Sequence, residues 1–199
     1  MLALQKLVGA APDSGLITYA QLKEAGATAM VVKRAVKRGD LVRLAHGIYQ
    51  LPVNVDYMDD EMYMAQLRYQ HMIYSHDTAL YLHELNDRVP HAYSVTVPTG
   101  YNTKRLIADG FKVFSLSHKL QEQDVVKAKT MYSNDVKVYN LERTICDCLR
   151  SRNKLQSEVV IAGLKGYVKR EDRNLNALMI IAEKLKVSAL LKTYLEVLL

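Results

Sequence analysis

Between Leu16 and Pro52 the chain reads LITYAQLKEAGATAMVVKRAVKRGDLVRLAHGIYQLP, and no other stretch constrains the fold as strongly. Thr18 is followed three residues later by Gln21, the spacing of a capping box in which two side chains satisfy orphan backbone donors at a helix start. Gly26 ends that helix, because glycine takes the left-handed conformation after a last turn without steric cost. Ala27 and Thr28 open a second helix, which Gly39 terminates in the same way. At helical period, Thr28, Ala29, Val32, Ala35 and Val36 share one face, while Lys33, Arg34, Lys37 and Arg38 share the opposite arc. Leu41–Leu44 and Ile48–Leu51 read as two short strands about a tight connection holding His46 and Gly47, with Arg43 and His46 near its tip. Helix, short turn, basic helix and hairpin, closed by Pro52, predict a winged helix-turn-helix, which lays its second helix in the major groove of duplex DNA.

A basic cluster on a helix is ordinarily a solvated face. Here the short turn before it and the basic hairpin after it favour docking on DNA. The candidate DNA-contacting residues are Thr28, Lys33, Arg34, Lys37, Arg38, Arg43 and His46. Lys33 and Lys37 suit phosphates as compact point charges, whereas Arg34 and Arg38 offer paired donors that match a guanine edge. His46 is read either as a turn residue or as a contact to the minor groove or a phosphate.

The charge of the chain supports an anionic partner. The formal net charge is +6, and residues 1–52 hold seven Lys or Arg against three Asp or Glu, so most of the excess sits on this module. No apolar run approaches the roughly 18 residues needed to span a bilayer, and MLALQKLVGAAP lacks the basic start and apolar length of a secretory signal. A cytoplasmic protein without membrane association is expected. Cys146 and Cys148 stand two apart on a predicted helix, where their side chains diverge, so reduced buried thiols are expected rather than a disulfide or zinc site.

We place a domain boundary between Pro52 and Asp56, giving a winged module over 1–52 and an α+β domain over 56–199. In the larger domain the acidic start at Asp59–Asp60–Glu61 suits a helix from Tyr57 to Gln70. Met72–Tyr74 is strand-like, and Ser75 or Asp77 caps a helix that ends near Asn86. Tyr93–Val97 and Phe111–Leu116 read as strands, and Val125–Tyr132 with Val136–Tyr139 as a hairpin, together forming a small mixed or antiparallel sheet. From Asn140 onward the pattern is helical, with Asn140, Ser157, Asn174 and Ser188 as caps of four helices.

No constellation in the sequence points to catalysis. His76 and His83 are seven apart and lack the i,i+4 geometry of a helical zinc pair, and Asp59–Asp60–Glu61 lacks the ligand spacing of a calcium loop. The chain has no phosphate-loop, dinucleotide or nucleophile-elbow motif, and Thr99–Arg105 reads as a turn. No catalytic residue, metal or cofactor is expected. A second basic region spans 143–173, with eight positive charges against four negative ones. Within it Arg150, Arg152, Lys165, Lys169 and Arg170 are the candidate surface for a further anionic partner, the alternative being a solvated face.

Three stretches carry a family resemblance: ITYAQLKEAG with the wing HGIYQLP, YSHDTALYLHELNDRVP followed by SVTVP, and YNLERTICDCLRSRNK. In this order they resemble the AbiEi antitoxins of bacterial abortive-infection systems, classed as type IV toxin–antitoxin pairs, and the likeness runs almost end to end. The resemblance implies a winged module that binds inverted repeats at its own promoter. It also implies a carboxy-terminal domain that antagonises a nucleotidyltransferase-like toxin without a stable complex, for which the basic helices from Arg150 to Arg170 are the natural surface. Inverted repeats would take two copies on DNA, with no dimer required in solution. The rival readings are a ligand-responsive winged-helix transcription factor and a nucleic-acid-modifying protein that uses His76, Asp77 or Glu84.

Overall fold

The computed structural model describes residues 15–51 and 60–198. The amino-terminal segment, Pro52, the expected boundary up to Asp56, the helix start at Tyr57 and Asp59 lie outside the described residues. The fold is α+β, and the chain divides into two compact units, Met1–Gln70 with Thr130–Asn134 and His71–Lys129 with Asp135–Leu199.

In the first unit the order is β1 (Leu16–Thr18), α1 (Tyr19–Glu24), α2 (Ala29–Arg38), β2 (Val42–Ala45), β3 (Ile48–Gln50) and α3 (Glu61–Arg68). The capping box forms as its spacing predicts. Gln21 N donates to Thr18 Oγ1 at 3.2 Å, and Thr18 N donates to Gln21 Oε1 at 2.8 Å. Thr28 Oγ1 accepts from Val31 N at the start of α2, and Gly39, at φ 81°, lets Asp40 N return to Ala35 O at 2.9 Å. Strand β1 has no counterpart in the sequence reading. It is three residues long, too short to show a period, and exists because β3 offers it an antiparallel edge with Ile17 opposite Tyr49. The sheet order is β1-β3-β2, and Ile17, Leu22, Val32, Ala35, Leu41, Tyr49 and Leu51 form the buried core beneath α1 and α2. Asp60 caps α3 through Tyr63 N, and its other oxygen accepts from Thr130 Oγ1 and Asn134 Nδ2 within the same unit.

The second unit runs β4 (Ile73–Tyr74), α4 (His76–Leu82), β5 (Ser94–Pro98), α5 (Lys104–Ala108), β6 (Lys112–Leu116), α6 (His118–Gln121), β7 (Val125–Lys129), β8 (Asp135–Tyr139) and α7 (Leu141–Arg150). A short 3-10 turn, Arg152–Lys154, leads to α8 (Ser157–Lys169), α9 (Leu175–Lys184) and α10 (Ser188–Leu198). The sheet order is β6-β5-β4-β8-β7, with β5/β6 and β4/β8 parallel and the other pairs antiparallel, so it is mixed.

Helix α7 is the centre of the helical part, buried from Glu142 to Leu149. Leu80, Ile145, Cys146, Leu149, Leu164, Leu178 and Leu191 bring α4, α8, α9 and α10 onto it. Asn140 and Asn174 cap their helices through Arg143 N and Ala177 N. Ser157 does not cap α8. It is the first helical residue, Gln156 holds the cap position, and no side chain satisfies that end. Ser75 also departs from its expected role, because its Oγ is engaged by His76 Nδ1 and Thr96 Oγ1 rather than by the helix start. Both cysteines are free and buried, and burial pushes the Cys146 thiol up to about 12.

Candidate nucleic-acid interface

The cationic arc of α2 points to solvent. Lys33, Arg34, Lys37 and Arg38 are all exposed, while Val32 and Ala35 on the opposite side are buried. Alternating two core residues with pairs of cations at helical spacing gives this separation, since positions three and four apart stack on one side. Thr28 is also exposed, although its hydroxyl oxygen already serves the helix cap.

The hairpin holds its basic residues close together. Gly47, at φ 74°, turns the chain between β2 and β3, and its carbonyl accepts from Tyr19 N at 2.7 Å, which ties the wing turn to the start of α1. Arg43 reaches along the strand, with Nε donating to Ala45 O at 3.4 Å and one terminal nitrogen 3.3 Å from His46 Nδ1. Both side chains are exposed.

Lys33 from the helix and Arg43 from the wing line one groove of about 290 Å³, whose floor and walls are Tyr19, Val32, Val36 and Tyr49. Sequence spacing placed each cation on its own element, and only the sheet brings the two onto a common groove. Tyr19 and Tyr49 were not among the sequence candidates. Their signal was weak, because each also reads as a core aromatic, and Tyr49 is in fact 9% exposed.

Arg38 differs from its neighbours. Its guanidinium is 2.8 Å from Asp40 Oδ2, an ion pair formed across the Gly39 turn. Among the described residues no carboxylate pairs with Arg34, and of the two arginines it is the one whose paired donors are unengaged by a described acid.

The second basic set is partly engaged within the fold. Arg170 makes a bidentate pair with Asp172 at 2.7 and 2.8 Å and donates to His83 O. Arg150 is half-buried with Nε 3.9 Å from Asp147, and Arg152 donates to Leu149 O. Lys165 and Lys169 are exposed on α8.

His76 and His83 do not share a site. His76 is buried, stacked on Phe114 at 3.6 Å, and held by Ser75 and Ser151 hydroxyls on its two ring nitrogens. His83 Nε2 lies 2.6 Å from Tyr139 O. Among the described residues no group of His, Cys, Asp and Glu is arranged to hold a metal ion, and no helix is long and apolar enough to cross a membrane.

A basic helix thus lies beside a basic wing in the unit built on the three-stranded sheet. Residues 10–52 match the family described as "Transcriptional regulator, AbiEi antitoxin". The AbiEi match thus covers the winged module, including every residue of the α2 arc and the wing. The other two stretches that resemble AbiEi proteins, Tyr74–Pro90 and Tyr139–Lys154, lie outside the matched residues. The fold is also similar to the crystal structure of the RV2827C protein from Mycobacterium tuberculosis. That similarity covers 95% of this chain and 79% of that one, with a TM-score of 0.52 and 13% sequence identity. Comparison with curated proteins gives no match.

Proposed function

We propose that this protein is the antitoxin and autorepressor of a type IV toxin–antitoxin operon. It docks α2 in the major groove of inverted repeats in its own promoter and blocks transcription sterically. It is cytoplasmic, works without catalytic activity, and opposes a nucleotidyltransferase-like toxin without a lasting complex. The AbiEi match supports the role of antitoxin and regulator. The observation that carries the DNA half is the exposed arc of Lys33, Arg34, Lys37 and Arg38 with Arg43 on the adjoining wing. In this reading Arg34 probes base edges, and Lys33, Lys37 and Arg43 hold phosphates on either side of it.

Fluorescence anisotropy with duplex DNA from upstream of the protein's own gene tests the docking. The variant with all four α2 cations changed to alanine should lose about a hundredfold or more in affinity at physiological salt. Equal binding by the variant and the native chain would sink the reading. The antitoxin half is tested by growth: co-expression should restore colonies of cells that carry the adjacent nucleotidyltransferase-like gene, and the purified pair should elute separately.

A further inference from the structure

A cavity of about 490 Å³ opens in the second unit, lined from the loop after α4, from the start of β6 and from the segment that leads into α8. Arg88, Lys112 and Lys154 line it against one acidic residue, Asp77, and Asn86, His91, Asn153 and Gln156 supply the rest of its polar lining. Lys112 Nζ donates to Lys154 O at 2.6 Å, which anchors the ammonium at the wall. An ammonium carries three donors, so this bond leaves two for another acceptor. Helix α8 starts behind Gln156 without a capping side chain, and Glu158 in its first turn partly offsets that positive end. Lys112 and Lys154 also act on His76, which lies outside the lining. Burial first, and then Arg150, Lys112 and other nearby cations, hold that imidazole well below the ordinary histidine range.

We propose that this cavity binds a small phosphorylated molecule of nucleotide size. Two ammonium groups and a guanidinium against one carboxylate select an anion, and these donors match the spread oxygens of a phosphate. The volume lies in the range of sites that enclose a whole small molecule, well beyond a phosphate group alone. Asn153 and Gln156 each carry donors and an acceptor, which suits the edge of a base or the hydroxyls of a sugar. None of this involves α2 or the wing, so the site stands or falls independently of DNA docking.

Calorimetric titration of the full chain with AMP, ADP, orthophosphate and adenosine tests the site. At low salt AMP or ADP should bind with a Kd below about 1 mM, orthophosphate at least tenfold more weakly, and adenosine undetectably. Arg88→Ala and Lys154→Ala should each weaken nucleotide binding about tenfold, while Lys192→Ala leaves it unchanged. Lys112 supports backbone as well as facing the cavity, so Lys112→Gln is accompanied by a thermal melt. Arg88 is exposed on a loop, and its substitution keeps the fold. No heat from either nucleotide at 5 mM (roughly five times the expected upper Kd), affinity indifferent to Arg88 and Lys154, or orthophosphate as tight as AMP would each overturn the proposal.

Discussion

Arg38 and Asp40 face one another across Gly39, the guanidinium 2.8 Å from the carboxylate, at the carboxy-terminal end of the helix proposed to enter the DNA groove. The pair is largely solvent-exposed, so it is weak, yet it occupies an arginine whose donors the docking proposal would otherwise offer to DNA. Asp40 also places negative charge at a helix end that disfavours it. Asp40→Asn should therefore tighten DNA binding roughly two- to fivefold without loss of thermal stability. By contrast, Lys37→Ala should weaken binding to all sequences alike and lower the slope of log affinity against log salt by about one unit. Anisotropy titrations at several salt concentrations read both effects, and weaker binding by Asp40→Asn would contradict the first.

Inside the second unit, Arg143 Nε donates to Asp147 Oδ2 at 2.8 Å, with both side chains buried, and the guanidinium packs 4.4 Å from the Tyr139 ring. Burial pushes the Asp147 carboxyl up, against the pull of Arg143 and Arg150. Arg143→Met would leave that carboxylate in the core with only the longer contact to Arg150, at a cost of about 3–5 kcal/mol. Replacing both residues, as Arg143→Met with Asp147→Leu, should recover most of the loss, because two apolar side chains need no mutual compensation. Urea unfolding of the two single variants and the double variant measures the coupling.

Acid should destabilise the protein through its histidines. Burial, chiefly, holds both His76 and His83 below the ordinary value of 6.5, so the folded state keeps them neutral where the unfolded chain binds protons. The stabilisation is complete above pH 6.5 and is lost as pH falls below it, by up to about 1.4 kcal/mol per pH unit for each group. His76→Gln should flatten this dependence while lowering stability at neutral pH. Denaturant midpoints collected from pH 8 to pH 5 (a span that brackets the unperturbed value, about 6.5) show whether the slope changes.

Gly163 lies on α8 where an added Cβ would be 2.8 and 2.9 Å from the two methyl carbons of Leu80. Leu80 is fully buried, so its methyl groups would have to shift within a packed core. Gly163→Ala should cost about 1–3 kcal/mol despite alanine's better helix propensity. Combining it with Leu80→Val should regain part of the loss, and thermal unfolding of the three proteins tests this.

Much of the fold is written in short-range chemistry. The capping box of Thr18 and Gln21, the caps of Thr28, Asn140 and Asn174, and the left-handed turn at Gly39 involve residues within four or five positions of each other, so their spacing alone determined them. The outward cations of α2 follow likewise, because helical period fixes which side chains oppose a core face. Where an apparent cap had a distant competitor, local spacing misled: Ser75 bonds to Thr96, twenty-one positions along the chain, instead of closing its helix. Strand β1, the order of the five-stranded sheet, the shared groove of Lys33 and Arg43, and the cavity of Lys112 and Lys154 were decided by tertiary structure. Each depends on which remote segments pack together, and that is set by the summed burial of a whole core rather than by the preference of any one stretch.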